Sequence, residues 1–398
     1  MKLPLVHVVL RLLLALLGAV LAESSAVAAG LSRDAQEAIR SEIRRVIAEG
    51  YYPGISVLLI HQGKIVMREA HGVVNLDTSE PHTTGQLCWL ASTSKLFTGV
   101  LMAMLVDDGS VSFDDPIAKF FPAFADIRLL DGSRPKQPVL LRQALSHTSG
   151  LPEESWLRSK GITKDDPAHA GYFYPKSPQE FVDACLAFGI ISEPGTRKMY
   201  GRPIELAACV AQRATGQSFA ELMERRVFAP LGLSETTIRP DAGQMARIAP
   251  LYQWRKAGEF ASSSLSLEVA RRENESMASA GGGIFSTLDD VGRLMLLHLN
   301  HGWHEGRQLV RTETLQRLYQ KQPGARDYGL AMQIHDSAVN GRSRILSHPG
   351  FSGPVAWVDF ERELAGVLLM QSNTLDRTKH HQRIIDTIYR FVPAKESR

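Results

Sequence analysis

The chain has 398 residues, 44% of them hydrophobic and 22% charged, with a formal net charge of +3. That is enough chain for one large domain or two medium ones, each with a core of its own. The charge is nearly balanced and no basic block is interleaved with aromatics, which argues against nucleic acid as a partner.

The N-terminus is set apart. Lys2 and Arg11 precede an apolar run from Leu12 to Ala22, and Ala26-Val27-Ala28-Ala29 supplies small residues in an A-x-A pattern. This predicts a signal peptide over residues 1–28, cleaved after Ala28 or alternatively after Ala22. The run is short for a membrane span. The expectation is an exported protein, periplasmic or secreted, with no stable span once the leader is gone. No cysteine precedes Cys88, so a lipid-bearing cysteine has no candidate.

Ser32 to Glu49 reads as an amphipathic helix with Ile39, Ile43 and Ile47 on one face. Ile55–Ile60 and Lys64–His71 read as two strands of a hairpin around His61-Gln62-Gly63. Leu96–Val106 is apolar almost all round and predicts a buried helix, ended by Asp107-Asp108-Gly109. From 110 to 275, helical stretches such as Pro178–Phe188 and Ile204–Thr215 alternate with loops rich in proline and glycine. Thr287–Asn300 reads as a helix, with Asp289 and Asp290 in its first turn. Val355–Phe360 and Leu364–Gln371 read as strands, and Gln382–Phe391 as a closing helix. Strands thus cluster at the two ends. The expectation is an α+β fold: an α/β domain with an antiparallel sheet flanked by helices, built from 29–109 and 276–398, with an all-helical insert over 110–275. Cys88, Cys185 and Cys209 lie in apolar contexts and predict buried free thiols. With no C-x-x-C and no H-E-x-x-H, neither a metal nor another cofactor is expected.

Two S-x-x-K patterns occur, Ser92-Thr93-Ser94-Lys95 and Ser133-Arg134-Pro135-Lys136. The second follows Asp131-Gly132 and holds a proline, so it belongs in a turn. The first opens the buried helix. At i and i+3 its serine and lysine share a face, so the lysine can serve as base to a serine nucleophile. On the pattern alone, a serine helix cap and a solvated lysine would be the favoured reading.

Six segments in order sharpen this. Trp89-Leu90-Ala91-Ser92-Thr93-Ser94-Lys95-Leu96-Phe97-Thr98 resembles the nucleophile segment of class C β-lactamases and related esterases. Leu140 to Pro152 resembles the family's LL-HTSGLP stretch, and Glu193-Pro194-Gly195-Thr196 followed by Tyr200 resembles the approach to its catalytic tyrosine. Phe228 to Leu233 is similar to its PLG segment, and Gly281 to Asp290 to its GG-ST-D helix entry. Ser347-His348-Pro349-Gly350 stands where the family has K-T-G or H-x-G before a strand. The resemblance, to the serine β-lactamase and penicillin-binding-protein family, covers essentially the whole chain after the leader.

It implies a β-lactamase/transpeptidase-like fold and a Ser92 acyl-enzyme. Lys95 and Tyr200 would move protons, His348 would stand for the third motif, and the amides of Ser92 and Phe351, after Gly350, would hold the oxyanion. The family's Y-x-N or Y-x-S is broken, because Arg202 follows Tyr200 and none of the nine tyrosines completes the pattern. Arg202 becomes a candidate substrate contact that only donates, where Asn both donates and accepts. Pro349 removes a donor and a hydroxyl. Lys256-Ala257-Gly258, a competing K-x-G, reads as a hairpin turn, and His147 reads as structural. The histidine in place of lysine and the missing Asn favour an esterase or amidase over an efficient β-lactamase, in a family that includes carboxylesterases and D-amino-acid peptidases, acting on a small ester or amide or a peptidoglycan-like substrate. The alternative is a catalytically impaired cell-wall or ligand-binding paralogue.

Overall fold

The computed structural model describes residues 30–337, 343–374 and 377–393. The leader expected over 1–28 lies outside the described residues. Helix α1, Arg33–Ala48, is capped by the Ser32 side chain, which accepts from the Ala35 amide at 3.1 Å. Its Ile39, Ile43 and Val46 are fully buried. Strands β1 (Gly54–His61) and β2 (Lys64–Asn75) follow, then the short β3 (Glu80–Pro81). Gln62 and Gly63 both take positive φ, 51° and 75°, the backbone that lets a two-residue loop match the twist of its strands.

Helix α2, Ser94–Asp107, has twelve of its fourteen residues buried, as an all-round apolar helix must. Helices α3 (Pro178–Phe188), α4 (Glu205–Thr215), α5 (Leu265–Glu275) and α6 (Leu288–Leu299) lie beyond it in the chain. The region before α5 also contains a hairpin, β4 (Leu251–Lys256) and β5 (Glu259–Ser263), so it is not wholly helical. Its turn is Ala257-Gly258, which gives Lys256-Ala257-Gly258 the turn role expected of it. The chain ends in β6 (Gln333–Ser337), β7 (Ser343–Pro349), β8 (Val355–Asp359), β9 (Leu364–Leu369), β10 (Ser372–Asn373) and α7 (Arg377–Phe391).

The main sheet has seven antiparallel strands in the order β6-β7-β8-β9-β1-β2-β3. The first strand therefore pairs with one from the far end of the chain, Val57 opposite Leu368. The near-continuous apolar run of β1 is what a strand covered on both faces needs. Val57 and Leu59 pack with Ile43, Trp357, Ile384 and Ile388. Leu58 and Ile60 turn to the other layer, with Val291 and Leu294 of α6. At Gly292 that helix comes so close that a Cβ would lie 2.0 Å from Leu58 Cδ2. This is the α+β architecture expected from the sequence. Cys88, Cys185 and Cys209 are buried free thiols, with burial pushing Cys88 up to about 12. Among the described residues no helix is long and apolar enough to cross a membrane.

Candidate active site

The turn that carries Ser92 is built by a neighbouring segment. Cys88-Trp89 pairs antiparallel with Phe285-Ser286, and the Leu90 amide donates to the Ile284 carbonyl at 2.9 Å. Ala91 then takes φ +46°, a left-handed conformation that costs a non-glycine residue about 1–2 kcal/mol. Packing over-determines it: Trp89 Nε1 donates to Gly282 O at 2.7 Å, and Ser94 Oγ accepts from the Ile284 amide at 3.2 Å. Ser92 follows in a 3-10 turn that runs into α2.

One helical turn on, Lys95 is 4% exposed. Its Nζ donates to Ser92 Oγ at 3.2 Å and to Gly281 O at 2.7 Å, and lies 5.0 Å from the centroid of the Tyr200 ring. The Gly281 carbonyl is itself held. The buried Glu205 carboxylate accepts from Ser279 Oγ at 2.7 Å, the Ala280 amide at 2.8 Å and the Gly281 amide at 3.2 Å. Three donors on one carboxylate fix the Ser279–Gly281 segment, and with it the residue whose carbonyl holds Lys95. A second buried carboxylate, Glu273, accepts from the Ser279 amide at 2.7 Å, and burial raises it to about 7.

Tyr200 is seated by His147. The Met199 amide donates to the His147 carbonyl at 2.7 Å and the Gly201 amide to His147 Nδ1 at 3.4 Å. The two rings lie 4.5 Å apart. Burial, then the charges of Lys95 and His348, hold His147 well below the usual histidine range. A neutral ring accepting at Nδ1 carries its proton on Nε2. This is the structural role expected of His147, one layer behind the tyrosine.

His348 lies inside β7, near its C-terminal end, and ahead of β8, the strand expected from Val355. Ser343–Pro349 has no apolar alternation, so nothing in its pattern announces a strand. The ring is 1% exposed. Nδ1 donates to the Pro349 carbonyl at 3.0 Å and Nε2 accepts from the Tyr328 hydroxyl at 2.9 Å. Burial lowers His348 to about 3, and lifts the Tyr328 phenol well above its ordinary value. Both imidazole nitrogens are therefore committed within the protein. Tyr328 is a site residue that the sequence reading missed, since nothing in Asp327-Tyr328-Gly329 ties it to His348.

The end of β7 closes on the nucleophile turn. Thr93 Oγ1 donates to the His348 carbonyl at 3.1 Å, and Ser352 Oγ to the Trp89 carbonyl. A Cβ on Gly350 would lie 2.3 Å from the Leu90 carbonyl oxygen, so only glycine permits this approach. Phe351 comes next, its ring 6.3 Å from that of Trp89. Neither the Ser92 amide nor the Phe351 amide has a hydrogen-bond partner among the described residues.

Ser92, Tyr200, Arg202, His348 and Phe351 line one cleft of about 960 Å³. Lys95 and Gly350 sit directly behind it, so the structure brings all seven sequence candidates together. Trp89, Phe173, Tyr174, Leu265 and Val269 give the cleft apolar walls. The arrangement offers a serine hydroxyl with a buried amine on it, two unpaired amides, and a phenol over the amine.

Comparison with known proteins agrees with the fold. The family model described as Beta-lactamase matches residues 39–388. The D-alanyl-D-alanine-carboxypeptidase/endopeptidase AmpH of Escherichia coli is 27% identical over 283 residues, 66% of this chain and 64% of that protein. The lovastatin esterase of Penicillium rubens is 29% identical over 191 residues, 45% of this chain and 47% of that protein. Among solved structures, EstCE1, a hydrolase with promiscuous acyltransferase activity, superposes with a TM-score of 0.75 at 19% identity, covering 89% of this chain and 98% of its own.

Proposed function

Since the chain belongs to the Beta-lactamase family, whose members include serine esterases and carboxypeptidases, we propose that it is a serine hydrolase working through an acyl-enzyme on Ser92. The observation that carries this reading is Lys95 Nζ, 3.2 Å from Ser92 Oγ at the floor of the cleft. In its unprotonated form Lys95 takes the hydroxyl proton as Oγ attacks the substrate carbonyl. The oxyanion that develops is received by the amides of Ser92 and Phe351, two fixed donors that need no reorganisation. When the tetrahedral centre collapses, the proton passes from Lys95, with Tyr200 as relay, to the departing alcohol or amine. Water attacks the Ser92 ester by the reverse path and frees the acid.

His348 acts by position in this scheme. With both nitrogens engaged, it holds Tyr328 and the end of β7, and so the Phe351 amide, and carries no proton of the reaction. Gly350 allows the close approach. Arg202 and Pro349 replace groups that would hold a β-lactam amide and carboxylate, so short-chain esters are the favoured substrates over cephalosporins. Export through the residue 1–28 leader is part of the same proposal, and N-terminal sequencing of the secreted protein should begin near Ala29 or Glu23.

The deciding experiment is labelling with a fluorescent fluorophosphonate followed by peptide mapping. The adduct is expected on Ser92 and absent from Ser92→Ala. An adduct elsewhere, or equal labelling of the variant, overturns the proposal.

A further inference from the structure

Arg202 lines the cleft two residues beyond Tyr200, and its guanidinium lacks a settled partner. Nε is buried with no hydrogen bond among the described residues. The nearest carboxylate oxygen, Glu205 Oε1, is 4.0 Å from a terminal nitrogen of Arg202, beyond hydrogen-bond range. That oxygen already accepts from Ser279 and Gly281. The rest of the bed is mostly apolar, although the Arg202 charge also reaches the buried Glu273 carboxyl. The guanidinium carbon lies 5.8 Å from the centroid of the Phe181 ring, and its charge reaches the buried thiols of Cys185 and Cys209. The side chain is 19% exposed. A planar cation with five donors, withdrawn this far from water, is costly unless something supplies acceptors.

Arg272, also on the cleft lining, is in a similar position. Its guanidinium carbon lies 5.0 Å from the Tyr174 ring centroid, and the nearest carboxylate oxygen, on Glu273, is 3.6 Å away. Burial raises that carboxyl to about 7, so near neutrality it offsets the arginine only in part. Of the other cations of the lining, Lys198 is bonded to Asp327, while Arg158 and Lys164, each 4.0 Å from an acid, have side chains 67% and 58% exposed, so water solvates them. A water could satisfy one donor, and Glu205 at 4.0 Å offsets part of the charge, but that carboxylate is already shared with Ser279, Ala280 and Gly281.

We propose that the cleft selects substrates bearing an anionic group, a carboxylate that fits the planar fork of Arg202, with Arg272 adding positive charge. This rests on the reading of Ser92 as nucleophile. It moves anion recognition away from the β7 end, where Pro349 has no hydroxyl to give, to the arginine beside Tyr200. The apolar walls then receive the hydrocarbon part, which makes half-esters of dicarboxylic acids, or esters of hydroxy acids, the fitting chemistry.

The test compares pairs of esters of matched shape, each corrected for spontaneous hydrolysis. p-Nitrophenyl hexanoate is paired with mono-p-nitrophenyl adipate, which puts the carboxylate on the acyl side. Phenyl acetate is paired with 3-carboxyphenyl acetate, which puts it on the leaving group. In at least one pair the anionic member should exceed the neutral one in kcat/KM by about tenfold, the order of one charge-assisted contact. That ratio should collapse in Arg202→Leu and in Arg202→Gln, survive in part in Arg202→Lys, and shrink as salt is raised. A purely structural arginine would change both members alike. No preference in either pair, or a preference that survives Arg202→Leu and Arg202→Gln, overturns the proposal. Fluorophosphonate labelling separates it from the reading beneath it. If Ser92 is labelled and neutral esters are cleaved without preference, only the anion site fails. If Ser92 is unlabelled and no ester is cleaved, both fail.

Discussion

Lys95 Nζ is 2.7 Å from the Gly281 carbonyl oxygen and 3.2 Å from the Ser92 hydroxyl. Its tighter bond is to the backbone, and the reactive one is the looser. An amine anchored this way keeps its direction toward Ser92 while a substrate enters and leaves.

The first prediction concerns that pair. Ser92→Ala should abolish labelling and ester hydrolysis. Lys95→Ala should fold and slow acylation by ~100-fold or more, the cost of losing a positioned base. Stopped-time labelling of variants whose folding is checked by thermal melting reads both. A Lys95→Ala protein labelled at the wild-type rate would remove lysine from the mechanism.

Glu205 should matter to catalysis without touching substrate. Glu205→Ala leaves Ser279, Ala280 and Gly281 without their acceptor and should cost about 2–4 kcal/mol of stability, visible in denaturant melts. Glu205→Gln keeps the shape and should cost less. Both should lower kcat more than they raise KM, because the Gly281 carbonyl that aims Lys95 is released. Unchanged kcat in a folded Glu205→Ala protein would show that the clamp is purely structural.

Gly350→Ala puts a methyl group 2.3 Å from a backbone oxygen. The end of β7 must retreat from the nucleophile turn, taking the Phe351 amide with it. Loss of one oxyanion donor is worth about 10²–10³ in kcat, so activity should fall by that order, with a destabilisation of about 1–3 kcal/mol as for other overpacked sites. A variant with wild-type kcat would take the Phe351 amide out of the scheme.

Stability should respond to pH in two opposite ways. Burial lowers His82 to about 4, and His298 and His348 to about 3. A histidine depressed in the fold stabilises it above its unfolded value near 6.5, and that contribution is lost as pH falls from there toward 3–4. His298→Gln should therefore flatten the acid side of a plot of melting temperature against pH. Glu273 has the other sign. Raised from 4.5 to about 7, it contributes fully below 4.5, and the contribution is lost as pH rises to about 7. Glu273→Gln should gain on wild type across that window, by about 3 kcal/mol at most. Parallel melting curves for wild type and Glu273→Gln between pH 4.5 and 7 would contradict the assignment.

What the sequence made legible follows from how local each signal was. Ser92 and Lys95 are three residues apart on one helix, so spacing and apolar context sufficed. α1 declares itself by a regular apolar period, and β1, β8 and β9 by short apolar runs bounded by turn residues. β6 and β7 do not, because Gln-Ile-His-Asp-Ser and Ser-Arg-Ile-Leu-Ser-His-Pro lack alternation. For that reason the sequence shows His348 ahead of β8 but not that it also lies inside β7. Glu205 is invisible as a positioning group, since it works through the Ser279 hydroxyl and two backbone amides, 75 and 76 residues away, that carry no side-chain code. His147 could be set aside as structural, but its task of seating Tyr200 exists only in three dimensions.

The pairing of β1 with β9 has a consequence for the chain as it emerges from the ribosome. Ser92, Lys95, Tyr200 and Phe351 are all synthesised before the first residue of β9. A nascent chain halted at Phe360 would own the full set of reacting groups and still lack the central neighbour of its own first strand. Long-range strand pairing is slow to form, and an unpaired strand edge invites association with other chains. The apolar β1 must therefore wait through some three hundred residues of elongation, so activity should appear abruptly with the last segment and not grow with chain length.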